Sequence, residues 1–149
     1  MDKPSRQKVW LSWSSGKDSY AALCTLLEDP RYDVNTLFTI VDPSSDKVPM
    51  HDVCATLLSH QVSALRLPHR IIQLDADDDK KDIEALIDEA VIADVEFFAF
   101  GDLFLEGLRA DRERNMRGTG IRTLFPLWQR PTESLIVDLI QNGMRAIIT

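Results

Sequence analysis

Residues 8–20 read KVWLSWSSGKDSY. Val9 to Trp13 has the make-up of a buried strand, and Ser19 to Leu27 places Ala22, Leu23, Leu26 and Leu27 on one side of a helix. Ser14-Ser15-Gly16-Lys17-Asp18-Ser19 therefore forms a strand-to-helix turn. At such a turn the first N–H groups of the helix lack intrahelical acceptors, and the helix dipole favours an anion. Gly16 permits the close approach and unusual φ that a phosphate cradle needs. Ser14, Ser15 and Ser19 add hydroxyl donors, and Lys17 adds a point charge for phosphate oxygens.

The turn is not a Walker A loop, which reads G-x-x-x-x-G-K-[ST]. Asp18 follows Lys17 where Ser or Thr belongs, and Leu11 stands where the first glycine belongs. A dinucleotide G-x-G-x-x-G fails as well, because the loop has a single glycine. Asp18 is costly beside phosphate unless it binds magnesium, pairs with a base or orients its neighbours.

Outward from this turn, short apolar runs alternate with amphipathic ones. Strands are predicted at Val34 to Val41, Arg70 to Leu74, Val95 to Phe100, Thr123 to Leu127 and Arg145 to Ile148. Helices are predicted at His51 to Leu65 (Val53, Leu57, Leu58, Val62 and Leu65 roughly aligned), through Ile83, Leu86, Ile87, Ala90 and Val91, at Leu103 to Met116, and at Thr132 to Ile140. The acidic stretch Asp75 to Asp82 reads as a loop leading into a helix. This order predicts an α/β fold: a doubly wound, mostly parallel sheet of five to six strands with helices on both faces, in one domain over residues 1–149. Ligands of such sheets bind beyond the strands' carboxyl ends, which directs attention to the ends of strands one, two and four.

A chain of 149 residues buries roughly 70% of its unfolded surface and needs no staple. Cys24 and Cys54 lie in apolar helical patterns without a CxxC pair, so both are expected to be buried structural cysteines. The polar N-terminus MDKPSRQ and the absence of any run of membrane length lead to an expected cytoplasmic location. A net charge of −7 argues against gripping nucleic acid, while leaving room for a small anion held by local donors.

Ser14 to Ser19 resembles the Ser-Gly-Gly-Lys-Asp-Ser loop of the N-type ATP pyrophosphatases, the PP-loop superfamily with the adenine nucleotide alpha hydrolase-like (HUP) fold, with Ser15 replacing a glycine. Further stretches resemble its diphthine–ammonia ligase-like branch: Met50-His51, Leu57-Leu58, Gln61, Ala64 and Leu65-x-Leu67-Pro68, then Phe100-Gly101-Asp102-Leu103 with Arg109, Arg112 and Glu113, then Phe125-Pro126-Leu127-Trp128. The resemblance runs from about Val9 to the last residue.

It implies ATP and Mg²⁺ as cofactors, with ATP bound by Ser14, Ser15, Gly16, Lys17, Asp18 and Ser19. Met50, Gly101, Arg109 and Glu113 would join the nucleotide site, and Ile40 and Val41 would hold adenine through backbone groups. Lys17, Asp18 and Asp102 are the implied catalytic residues, Asp18 also the metal candidate. Several positions carry two readings. Arg109 and Glu113 could form only a surface pair; Asp102 could hold magnesium or a substrate amine, or cap a helix; His51 could be a base or a helix-start residue; Trp128 could pack or stack on adenine.

The implied reaction adenylates a carboxylate acceptor, not identified by the sequence, releases pyrophosphate, and lets ammonia displace AMP. Two alternatives remain: a nucleotide-sensing module without catalysis, and a tRNA-modifying PP-loop enzyme, whose usual catalytic cysteines or basic domain are not visible. Ligases of this branch continue well beyond the stretch matching Arg145 to Ile148, so the acceptor-binding C-terminal region is expected to be absent. An exposed last strand would invite a homodimer.

Overall fold

The computed structural model describes residues 5–41, 44, 53–74 and 79–147. Along the chain run β1 (Gln7–Ser12), α1 (Lys17–Glu28), β2 (Tyr32–Val41), α2 (Ala55–Leu65), β3 (His69–Gln73), α3 (Asp79–Ile92), β4 (Phe97–Ala99), α4 (Glu106–Met116), β5 (Arg122–Leu124) and α5 (Thr132–Gln141). The five strands form one sheet in the order β3-β2-β1-β4-β5, and every pairing is parallel. This is the doubly wound α/β arrangement that the alternation of elements predicts.

The middle of β1 suits a central strand: Val9, Trp10 and Leu11 are all buried, while Gln7, Lys8 and Ser12 at its ends are half-buried. Alternation then divides them between two cores. Val9, Leu11 and Trp13 pack with Phe97 and Ala99 against α1 (Ala22, Leu26), α2 (Leu58, Val62) and α5 (Leu135, Leu139). Trp10 faces the other way with Phe38, Phe98 and Phe100, against α3 (Leu86, Ile87, Ala90) and Met116 of α4. The second core holds a run of aromatic contacts. Trp10 stacks on Phe98, Phe98 meets Phe38, Phe38 meets Phe100, and Phe100 stacks on Phe125 beyond β5.

The register of β2 contains an irregularity that decides which side chains face which core. Val9 pairs with Val34, but Trp10 pairs with Thr36, leaving Asn35 as an extra residue. Such a bulge reverses the parity of everything after it. Val34 and Leu37 consequently share a core. Between α1 and β2, Arg31 donates from its backbone N–H and its guanidinium to Asp29, holding that carboxyl down at about 2.

Several expectations are corrected. Residues 145–147 form no strand, so the sheet has five strands among the described residues rather than six; Ile148 lies outside the described residues. β4 and β5 are each three residues long, although Val95, Phe100 and Leu127 flanking them are buried. Cys54 is exposed and Cys24 half-buried, so neither is the deeply buried cysteine that the apolar pattern suggests. Leu27, Leu57 and Val91 point outward, because the stripe that reaches the sheet is narrower than the apolar stripe in the sequence. His51 and the first half of the acidic stretch, Asp75 to Asp78, lie outside the described residues.

His69 opens β3 half-buried, and burial lowers its pKa below the ordinary 6.5. The folded state therefore binds that proton less readily than the unfolded state. Its contribution to stability is intact above pH 6.5 and is lost as pH falls through the lowered folded value. Denaturant midpoints measured at pH 7.5, 6.5 and 5.5 should fall more steeply for the wild type than for His69→Gln.

Candidate functional site

The chain winds from β1 outward through β2 to β3, then returns to place β4 on the other edge of β1. The switch in strand order thus falls between β1 and β4, and the Ser14–Ser19 turn sits at its carboxyl end. Gly16 is the N-cap of α1, with no side chain to offer. The N–H groups of Lys17, Asp18 and Ser19 occupy the first helical turn, where intrahelical acceptors are missing.

Hydrogen bonds within the turn fix its shape. Ser19 donates its hydroxyl to the Gly16 carbonyl (2.9 Å) and accepts from the Ser14 hydroxyl (3.3 Å) and the Ser14 N–H (3.4 Å). The Gly16 N–H donates to Ser14 Oγ (3.3 Å). Ser14 and Ser19 are therefore tied to the loop itself. The unusual φ predicted for Gly16 is displaced by one residue: Gly16 has φ −84°, whereas Ser15 has φ +69°. Ser15 is the residue that stands where the resembled loop has glycine.

A second glycine carries the closest approach. Gly101 follows β4, and a Cβ there would lie 2.8 Å from the Asp18 carbonyl oxygen and 3.1 Å from the Ser19 nitrogen. The end of β4 thus lies directly against the start of α1. Lys17 donates to Asp18 at 2.6 Å across the surface, so the two adjacent charges satisfy one another.

Next to Gly101, Asp102 is bound by Arg112 (Nε to Oδ2 2.6 Å, Nη2 to Oδ1 3.4 Å). The same guanidinium lies 4.1 Å from the centre of the Phe100 ring. Asp102 does not cap α4, whose N-cap is Leu105. Arg109 pairs with Glu113 (2.9 Å) and lies against both Phe125 (4.8 Å) and Trp128 (4.7 Å). Trp128 thus packs against Phe125 and an arginine. Asp102, Arg109, Arg112 and Glu113 all gather on the β4–β5 side of the turn.

On the β2 side the two adenine candidates differ. The Val41 carbonyl accepts from Leu74 N–H (3.4 Å), so its backbone faces β3. The Phe38 carbonyl accepts from Trp13 N–H (2.7 Å), so by alternation Ile40 presents its N–H and C=O on the β1 side, beyond the last β1 pair at Ser12. Met50 lies outside the described residues. Among the described residues no group of three or more His, Cys, Asp or Glu side chains could hold a metal ion, and no helix is long and apolar enough to cross a membrane.

A parallel doubly wound sheet with an open helix N-terminus at its switch point is an architecture that takes ligands at the strand ends. The profile of the diphthamide synthase N-terminal domain matches residues 7–123, and the chain belongs to that family, a PP-loop family. No curated protein matches the chain.

Arg112, Phe125 and the positive φ of Ser15 extend the set of candidate residues. Arg112 is three positions from Arg109, one helical turn, and that spacing is the signal for a shared face. The signal for the φ of Ser15 is the glycine that the resembled loop carries at that position, since serine itself does not demand it. A left-handed non-glycine residue stores about 1–3 kcal/mol, so Ser15→Gly should raise stability by about 1 kcal/mol after the entropy cost of glycine. A thermal melt some 2–4 °C higher would show it. Gly101→Ala should cost about 1–3 kcal/mol, because the obstructing atoms are backbone; an unchanged urea midpoint would contradict the close approach.

Proposed function

We propose that the chain binds ATP across the β1–β4 switch point and cleaves it to AMP and pyrophosphate by adenylating a carboxylate acceptor for amidation. The observation that carries this reading is the Ser14–Ser19 turn, seated on the end of β4 at Gly101 in a chain of the PP-loop family. An acceptor carboxylate oxygen attacks the α-phosphorus, and the bond from that phosphorus to the bridging oxygen breaks. Pyrophosphate leaves with the electron pair. Ammonia then attacks the acyl carbon, AMP leaves with the acyl-linked oxygen, and the surplus ammonium proton passes to solvent.

The chain's own groups suit the first step. Negative charge grows on the leaving pyrophosphate, and fixed N–H donors of Lys17, Asp18 and Ser19 are already oriented there at no reorganisation cost. The Lys17 ammonium exchanges Asp18 for a phosphate oxygen. Ile40 offers one N–H and one C=O to the adenine edge. Asp102, steadied by Arg112, turns its more loosely held Oδ1 toward the incoming amine. Arg109 and Glu113, paired with one another, border the nucleotide on the β4–β5 side. Magnesium would arrive on the phosphates with Asp18 as its protein carboxylate, in keeping with the few protein ligands that such ions use, and would neutralise phosphate charge.

Lys17 is exposed, so Lys17→Ala should leave stability within about 0.5 kcal/mol. Loss of a charge-stabilising donor should slow pyrophosphate release about 100-fold. The assay is pyrophosphate release from ATP with ammonia and a panel of carboxylic acids; wild-type rates in the variant would contradict the role of the loop.

A further inference from the structure

Beyond Ser12 the β1–β2 ladder stops, yet the chain must enter the turn in one orientation. Trp13 is held at three points. Its N–H donates to the Phe38 carbonyl (2.7 Å), its indole Nε1 donates to Gln61 of α2 (3.0 Å), and its carbonyl accepts from the Thr39 hydroxyl (2.6 Å). Thr39 is buried, and its hydroxyl oxygen lies 2.8 Å from His69 Nε2 on β3. A hydroxyl has one proton. Because that proton goes to Trp13, His69 must donate from Nε2, which assigns the Nε2–H tautomer. A chain of two hydrogen bonds thus crosses from β3 over β2 to the peptide that leads into Ser14 and Ser15.

We infer that His69 is a positioning residue for the Ser14–Ser19 loop, acting through Thr39 and the Trp13 carbonyl. The peptide plane of Trp13 sets the direction in which Ser14 leaves the sheet, and Ser15 adopts its positive φ two residues later. With His69 Nε2–H filling its acceptor side, the Thr39 hydroxyl is oriented with its proton on Trp13; without His69 that hydroxyl is free to rotate away. A carbonyl left without a donor at a buried site will turn to find one, and rotating the Trp13 peptide swings the N–H groups of the next turn. The effect of His69 on the loop passes through two hydrogen bonds. The inference rests on the phosphate-binding reading of the loop, and its test separates the two.

Backbone amide shifts of Ser14, Ser15 and Lys17 are measured without nucleotide, and ATP affinity by calorimetry, in His69→Leu, His69→Gln, Thr39→Val and Thr39→Ser. His69→Leu and Thr39→Val should displace the loop shifts and weaken ATP binding about tenfold, the worth of one hydrogen bond. His69→Gln and Thr39→Ser keep the donors and should restore both readouts to within about twofold. The double variant His69→Leu/Thr39→Val should be no weaker than either single one, since both break one relay. Loop shifts unchanged in His69→Leu would overturn the inference, and equal displacement in His69→Leu and His69→Gln would reduce His69 to packing. If wild-type protein binds no ATP, the proposed function fails, while the amide shifts still decide whether His69 positions the loop.

Discussion

The structure depends on β1 being paired along both edges. A strand with β2 on one side and β4 on the other must be apolar on both faces, as Val9, Trp10 and Leu11 are. Its carboxyl end must also coincide with the switch in strand order, because the chain adds strands to one side and then to the other. The turn after β1 is thereby fixed at the one crevice that the sheet topology opens. Around that turn lie Ile40 on the β2 side, Gly101 and Asp102 after β4, and α4 with the segment after β5 beyond them, whereas the Val41 backbone faces β3.

Close approach at the crevice is a matter of backbone, not side chains. Gly101 lets the end of β4 meet Asp18 and Ser19, and Ser15 takes the left-handed conformation that lets the turn reach Gly16. Strain of that kind persists only where surrounding contacts determine it. Here those contacts are the Ser14–Ser19 hydrogen bonds inside the turn and the three-point hold on Trp13 before it. The charged residues are satisfied in pairs, Lys17 with Asp18 and Arg112 with Asp102. An incoming anion would find cations close at hand that must change partner to receive it.

Much of this was legible in the sequence, for identifiable reasons. β1, the turn and α1 follow from a buried run that gives way to small polar residues and then to helical spacing. The parallel sheet follows from strands apolar on both faces. The lengths of β4 and β5 were not legible, because Val95 and Leu127 are buried outside the strands, and hydropathy cannot separate burial from pairing. The sixth strand failed for a different reason: residues 145–147 include apolar side chains that the fold leaves exposed, Ile147 among them, and hydropathy alone does not say which apolar run is buried. Serine does not demand the positive φ at Ser15; its one signal was the glycine that the resembled loop has there, and the unusual φ was expected at Gly16 instead. The Thr39–His69 contact joins residues thirty positions apart on neighbouring strands, and only the pairing of β2 with β3 brings them together.

The central claim is that the turn between β1 and α1 holds the phosphates of ATP. Calorimetric titration of the whole chain with ATP and with AMP, each with and without Mg²⁺, tests it directly. Saturable binding of one ATP per chain is expected, with weaker binding of AMP, which lacks the pyrophosphate that the loop is proposed to hold, and a gain from Mg²⁺ for ATP. No heat of binding from either nucleotide under any of these conditions would contradict it.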